Sequence, residues 1–408
     1  MNATARIAVL KFGGTSVASR ERRDVAYRRV VDALEAGFAT VAVISAMGRP
    51  PDPYATDSLL ALVGGHSGSA NADALLAAGE LIAAAVFAEE LGAGFGVAAT
   101  VLSGAQAGIV TDERFGDANI LWVEPAAIVD LLERGLVAVV AGFQGASESG
   151  TITTLGRGGT DLSAIAIGHA LQAERVDIYT DVSGAMTADP ARIVEARTIE
   201  RASLEEMTEL AEHGAKVMHD KAAGYASRTG TSYAIKGLHS DVGTTVDDSV
   251  DHHRPVTGVT SSGRLTWVRV IRGDIESPER RMQTELEMFA RLAGASISID
   301  QVTINQAGVA FVVQGDRGND LRRLLADLNL AVRIREECSK LSVVGSGMRG
   351  RPGVVREVVE ALSRENVEII HCTDSNVTIS LLVPAGDVAR AERAVHEQFH
   401  LDAGDPPS

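Results

Sequence analysis

Residues Ile7–Val17 read Ile-Ala-Val-Leu-Lys-Phe-Gly-Gly-Thr-Ser-Val, and their order decides the fold. The uninterrupted apolar run predicts a buried strand, and the strand carries Lys11 to its end. Gly13 and Gly14 then let the main chain approach an oxyanion, Thr15 and Ser16 add hydroxyls, and a polar helical stretch follows with its N-terminus available. A tight turn between strand and helix would also use glycines. What separates the two readings is that the same features return further along the chain.

Working outward, apolar runs alternate with helical periodicity as far as Gly145. The runs are Ile7–Leu10, Thr40–Ile44, Gly96–Val101 and Val137–Ala141; the helical stretches are Arg20–Glu35, Asp73–Leu91 and Pro125–Arg134. This alternation predicts a three-layer α/β fold, a mainly parallel sheet with helices on both faces. Gly48–Tyr54 holds three prolines and reads as a loop.

Three further stretches carry chemistry. Thr154–Ala164, Thr-Leu-Gly-Arg-Gly-Gly-Thr-Asp-Leu-Ser-Ala, brackets Arg157 with glycines and sets Thr160-Asp161 where a helix N-cap would lie. A cation on flexible backbone beside a helix N-terminus suits a carboxylate or a phosphate. Val176–Pro190 ends a strand in Thr180-Asp181, and ligands of open α/β sheets gather at the carboxyl ends of strands. Ser203–His219 reads as a helical stretch ending in Gly214-Ala215-Lys216, where Lys216 alone would be an ordinary surface cation.

Past Val256 the pattern changes. Leu265–Val270, Ser277–Leu292, Ser296–Ile304, Val309–Gln314, Asn319–Leu328 and Val332–Glu337 make one β-α-β-β-α-β series. Lys340–Val344, Gly353–Glu365, Val367–Cys372, Thr378–Val383 and Asp387–Phe399 repeat it, a period of about 70 residues that predicts two ferredoxin-like units. Asp241–Pro255 is the expected hinge between halves, and Asp402–Ser408 an expected disordered tail. The expected domains are thus 1–250, 251–337 and 338–408.

Composition limits the function. The 408 residues are 45% hydrophobic and 23% charged, enough for two or three soluble globular domains. No charge-free run reaches bilayer length and no signal peptide opens the chain, so a cytoplasmic address is expected. Cys338 and Cys372 make neither a disulfide framework nor a metal set. A formal charge of −16 argues against nucleic acid or anionic membrane as partners. An anionic small substrate would need a local positive field, for which Lys11, Arg157 and Lys216 are the candidates.

In order and spacing, the four stretches resemble those of aspartate kinases, of the amino-acid kinase superfamily. Lys11–Val17 resembles that family's Lys-Phe-Gly-Gly-Thr-Ser-Val signature, and Gly156–Asp161 its Gly-Arg-Gly-Gly-Ser-Asp box, with Thr160 for the serine. Tyr179–Pro190 is similar to its nucleotide loop, and Gly214–His219 to its Gly-Ala-Lys-Val-Leu-His. Ala191 stands where an arginine is common, and Asp220 where a proline usually follows the histidine. The tandem repeat resembles paired ACT regulatory domains, with Gly345–Val354 and Ile369–Ile379 matching the second.

The resemblance implies ATP-dependent phosphorylation of the L-aspartate β-carboxylate to 4-phospho-L-aspartate, with ATP carried as its Mg²⁺ complex. That is the first step of the pathway to lysine and diaminopimelate, threonine and methionine. It implies that Lys11 meets the transferring phosphate, that Gly13, Gly14, Thr15 and Ser16 hold phosphates, and that Asp161 orients Lys11. Glu80 would take the aspartate α-amino group and Arg157 its α-carboxylate, with Thr56, Gly158, Gly159 and Thr160 completing the pocket. Thr180, Asp181, Met186, Asp189 and Lys216 would hold the nucleotide. Asp300, Asp374 and Ser375 would serve an amino-acid effector (lysine, threonine or diaminopimelate), in an expected homodimer. The absence of a Ser-His-Asp set is no objection, because a carboxylate of pKa about 4 needs no general base at neutral pH. No Gly-x-x-x-x-Gly-Lys-Ser/Thr motif occurs, which excludes a P-loop kinase. The competing readings are a glutamate, acetylglutamate or nucleotide kinase and a non-catalytic amino-acid sensor. The tandem tail and the Glu80/Arg157 pairing set the first apart, and joint retention of Lys11, Glu80, Arg157 and Asp161 the second.

Overall fold

Val9, Leu10 and Phe12 are fully buried, and their strand, β1 (Ile7–Phe12), lies inside the sheet that the opening stretch predicts. The computed structural model describes residues 6–215, 217–249, 254–271, 277–328 and 331–403. The chain divides into two units, Met1–Met186 with Thr198–Asp251 and Thr187–Arg197 with His252–Ser408. Among the described residues no helix is long and apolar enough to cross a membrane.

The first unit begins with β1, α1 (Arg20–Glu35), β2 (Ala39–Ile44), α2 (Thr56–Leu62), α3 (Ala70–Phe95) and β3 (Ala99–Leu102). It continues with β4 (Ile109–Thr111), β5 (Ile120–Val123), α4 (Ala126–Glu133), β6 (Val137–Ala141), β7 (Gln144–Ser147), β8 (Ile152–Thr154) and α5 (Gly159–Ala170). It ends with β9 (Arg175–Thr180), β10 (Arg201–Ala202), α6 (Leu204–Glu212), α7 (Asp220–Thr229), β11 (Tyr233–Gly237) and β12 (Gly243–Val246). Eight strands pair in the order β10-β12-β11-β9-β1-β2-β6-β3, every pair parallel except β11 with β12.

Alternation along β1 sorts its side chains onto two faces. Ala8, Leu10 and Phe12 enter a core with Tyr27 of α1 and Phe87 of α3, where Phe12 stacks on Tyr179 at 5.2 Å between ring centroids. Lys11 turns to the opposite face and meets Asp161 of α5. Helices therefore cover both faces, as the alternation predicts.

Some local details differ from the sequence reading. The expected helix Asp73–Leu91 runs from Ala70 to Phe95, capped by the Ser69 hydroxyl and closed by Gly96 at φ +67°. The N-cap of α5 is Gly158, not Thr160 or Asp161; Asp161 is the third helical residue. Ser203–His219 is not one helix. A capping box of Ser203 and Glu206 starts α6, which stops at Glu212, and His219 caps α7. A second sheet, β5-β4-β7-β8, went unread because its strands have only three or four residues, too few for a period to register.

The second unit contains β13 (Gly258–Ile271), α8 (Pro278–Gly294), β14 (Ile299–Asn305), β15 (Gly308–Gln314) and α9 (Gly318–Leu325). After them come β16 (Ala331–Val344), α10 (Val354–Arg364), β17 (His371–Asp374), β18 (Thr378–Pro384) and α11 (Val388–Gln398). The sheet order is β14-β15-β13-β16-β18-β17, antiparallel throughout.

The two repeats are interleaved. The second repeat lacks one strand in sequence, and Gly258–Ser262, upstream of the first repeat, supplies it by pairing with Lys340–Val344. Leu265–Ile271, the other half of β13, pairs with the first repeat's Ala331–Cys338 and Gly308–Gln314. Two cores follow. Val268, Phe311, Met288 and Leu321 form one; Val259, Leu341, Val358 and Val395 form the other. The pairing register shifts between Ser262 and Leu265, where Arg264 has φ +55° and Glu337 on β16 also has φ +55°. Bulges of this kind bend both long strands from one repeat into the next. The expected division between 337 and 338 thus falls inside a continuous strand. Thr187–Arg197, expected within 1–250, packs in the second unit, where the Val259 amide donates to the Thr187 carbonyl at 2.8 Å.

This interleaving has a measurable consequence. Val259→Asp would bury an unpaired carboxylate in the second repeat's core and should destabilise the second unit by several kcal/mol. Chemical denaturation should show the same loss for Val343→Asp. Tolerance of Val259→Asp beside failure of Val343→Asp would contradict the shared strand.

Candidate active site

Strand β1 ends where the chain turns back on itself. The amide of Gly13 donates to the Tyr179 carbonyl at 3.4 Å, and Gly14 lies so close to the next strand's exit that a Cβ there would stand 2.6 Å from the Ala46 carbonyl oxygen. Only glycine permits that approach. Lys11 Nζ lies 2.6 Å from Asp161 Oδ1, both side chains largely buried. Beside them the Ser45 hydroxyl donates to Thr160 Oγ1 at 2.8 Å.

These groups line one cleft of about 580 Å³ within the first unit. Lys11, Gly13, Gly14, Thr15, Thr56, Glu80, Arg157, Gly158, Gly159, Thr160, Asp161, Thr180 and Asp181, all named from sequence, contribute to its wall. Ser16 does not: it is buried in the single turn Gly14–Val17, its amide bonded to the Gly13 carbonyl. Met186 is bridged to Thr198, whose hydroxyl lies 3.6 Å from its sulfur, and does not line the cleft either. Asp189 belongs to the second unit, where its Oδ1 accepts from the Ala191 amide. Lys216 lies outside the described residues.

The charges are unevenly matched. Arg157 is exposed and, among the described residues, has no carboxylate partner, so its guanidinium fork is open to a ligand. Gly158 holds it there with φ +68°, and a Cβ on Gly158 would stand 2.3 Å from the Cβ of His219. Glu80, on α3, is 3% exposed and its Oε2 has no hydrogen-bond partner. Burial raises its carboxyl well above the ordinary value, against the opposing pull of the Ala46 amide and of Lys11. A buried carboxyl with an unmatched oxygen facing a cleft suits a ligand ammonium, whose charge would hold it ionised.

Several functional contacts had no sequence signal. Arg49 lines the cleft and pairs with Asp181 at 3.2 Å. Asp73, fully buried on α3, accepts from the amides of Gly116 and Thr154 at 3.0 and 2.7 Å and so fixes two wall segments. Lys221 bonds the Asp117 carboxylate and the carbonyls of Ala118 and Leu155, holding the strand end from which Arg157 emerges. Phe143 adopts φ +63°, its amide bonded to the Ser163 hydroxyl, where the sheet opens into the cleft. Each joins residues far apart in sequence, so no local motif announces it.

The regulatory candidates lie in the second unit. Lys340 Nζ holds the Asp300 carboxylate at 2.6 Å, and Ser375 Oγ accepts from the Thr378 amide in the turn that follows the exposed Asp374.

The model of the amino acid kinase family matches residues 6–236, and that of the ACT domain matches 341–399. Aspartokinase 1 of Bacillus subtilis is 38% identical over 97% of this chain and 99% of its own. Among solved structures, E. coli aspartokinase III in complex with aspartate and ADP superposes with a TM-score of 0.75 at 25% identity, covering 97% of this chain and 100% of that one. The same enzyme in complex with lysine and aspartate gives 0.71 at 25% identity, covering 96% and 99%.

Because folding raises the Glu80 carboxyl, its ionisation opposes folding. The penalty is absent below the ordinary glutamate value of 4.5, grows by about 1.4 kcal/mol per pH unit above it, and levels off once the folded-state value is passed. Glu80→Gln should therefore be more stable to urea than the parent at pH 8, with the gain shrinking towards pH 4.5. A gain independent of pH would contradict this reading.

Proposed function

The chain belongs to the aspartokinases of the amino acid kinase family, and on that premise we propose how its residues divide the work. The reaction is ATP-dependent phosphorylation of the L-aspartate β-carboxylate to 4-phospho-L-aspartate, under allosteric control through an ACT domain. The observation that carries the assignment of roles is the shared cleft, in which a buried, half-matched Glu80, an open Arg157 and the Lys11–Asp161 pair face one space.

Glu80 receives the α-ammonium of aspartate and Arg157 forks onto its α-carboxylate, with Thr56 and the amides of Gly158 and Gly159 alongside. Two fixed ends leave the β-carboxylate directed at the Lys11 side of the cleft. That group is already ionised, so no base is required; the barrier lies in pressing one anion against another. Lys11 and the amides after Gly13 supply positive charge where the transferring phosphoryl group develops negative charge. Asp161 holds Lys11 by the ion contact at 2.6 Å, and Thr180 and Asp181 line the nucleotide end.

Among the described residues no cluster of three or more His, Cys, Asp or Glu forms a protein-only metal cage. Mg²⁺ does not ask for one, since it takes one or two carboxylates and completes its shell with phosphate oxygens and water. Asp161 and Asp181 fit that pattern; bound there, Mg²⁺ would screen the phosphates.

The regulatory half answers an amino-acid end product (lysine, threonine or diaminopimelate), the active unit is a homodimer, and the enzyme works in the cytoplasm. A hydroxamate-trapping assay with each amino acid added in turn identifies the effector.

Arg157→Ala removes a charge-assisted, bidentate contact of about 3 kcal/mol, so the aspartate KM should rise roughly 100-fold. ATP binding, read by nucleotide-induced thermal stabilisation, should survive. An unchanged aspartate KM in the hydroxamate assay would remove Arg157 from the substrate site.

A further inference from the structure

A second cleft, of about 200 Å³, opens in the second unit between the leaves of the bent sheet. Gly308, Val309 and Ala310 of β15 line it together with Ile370, and Trp267 and Arg269 of β13 stand beside Thr303 of β14 and His371 of β17. Leu265, Val312, Cys338 and Leu382 form a small apolar core next to it, against which Trp267 and Ile370 pack. Thr303 Oγ1 and His371 Nε2 are 3.2 Å apart, tying one leaf to the other across the cleft.

The charge of this cleft is one-sided, whereas Thr303, Asn305 and His371 on its wall can both donate and accept. Its wall contains no acidic residue, although the chain has 54 acids against 38 Lys and Arg. The indole Nε1 of Trp267 is buried without a hydrogen-bond partner, and an indole N–H can only donate. Arg269 sits directly opposite Arg333 in the pairing of β13 with β16, and among the described residues neither makes an ion pair. Like charges facing each other across strands are destabilising unless something negative lies near them. Two residues along, the equivalent cation is matched: Arg335 forms a two-pronged pair with Glu368 at 2.8 Å. An orphan donor and the unmatched guanidinium of Arg269 beside an apolar floor define a ligand with an anionic head and a short carbon body; Arg333 faces Arg269 but does not line the cleft.

We infer that this cleft binds a small carboxylic acid without a cationic side chain, its carboxylate held by Arg269 and the Trp267 indole N–H and its carbon chain lying on Gly308–Ala310 and Ile370. A ligand with a second ammonium, such as a diamino acid, finds no carboxylate there to match it. The cleft therefore disfavours lysine and diaminopimelate, two of the three effectors named in the proposed function. Its occupant would stabilise the second unit by mass action.

Trp267 is its own reporter, because the chain contains only one other tryptophan, Trp122. In a Trp122→Phe full-length protein, Trp267 emission is titrated with succinate, acetate, 2-oxoglutarate, inorganic phosphate and L-lysine, without turnover of the kinase. A saturable change is expected with at least one of the three carboxylates at or below about 10 mM. Phosphate and lysine should be at least about tenfold weaker, and Arg269→Gln should weaken the carboxylate by about tenfold or more. Arg269 is exposed, so that variant should keep the parent's thermal unfolding curve. No saturable change with any carboxylate, equal binding of phosphate or lysine, or equal binding by Arg269→Gln would each overturn the inference.

Discussion

The contact between Lys11 and Asp161 is the constraint on which the catalytic half depends. It ties the end of a central parallel strand to the first turn of α5, and both side chains are withdrawn from water. A buried ion pair of this kind gains little net stability, because desolvation consumes most of the Coulomb attraction, but losing either partner strands the other charge. Its value is positional. An ammonium that would otherwise range freely on four methylenes is held where β1 opens into the glycine turn. The carboxylate that holds it also limits how much positive charge the cleft presents before substrates arrive.

Around that pair the cleft is assembled from distant pieces held by backbone contacts. Asp73 ties Gly116 to Thr154, Lys221 braces Leu155, and Ser163 links the carbonyl of Gly159 to the amide of Phe143. None of these side chains has to touch a substrate for the geometry to depend on it. The substrate groups, Glu80 and Arg157, come from a helix and a glycine-bracketed turn on different parts of the wall. Only the folded sheet brings them into register. The second unit solves a related problem differently. By running β13 and β16 through both repeats, it makes two cores share a pair of strands, so a strain on one repeat bears on the other through continuous backbone.

Much of this was legible in the sequence because local pattern carried it. The apolar run before Lys11, the glycines around Arg157 and the polar end of β9 each mark a strand or turn by composition alone, and all three meet in the cleft. Most helices were legible from their period, but α2 and α7 were not, Ser203–His219 read as one helix, and the cap of α5 was misplaced. There Thr160 and Asp161 looked like the cap, but the left-handed Gly158 takes that position. What stayed hidden was non-local. The strand Gly258–Ser262 is too far from its partner for any repeat count to claim it, and the short strands of the second sheet carry no period. Asp73 read as one more polar residue of a helix start, while its partners lie 43 and 81 residues away.

Phosphoryl transfer in this cleft depends on the cation at the end of β1. The decisive measurement is single-turnover phosphorylation of aspartate by Lys11→Met, with substrate binding followed separately by calorimetry. The transfer rate should fall about 100-fold or more while aspartate still binds, as expected for loss of a charge that acts chiefly in the transition state. A transfer rate within a few-fold of the parent, with binding intact, would contradict it.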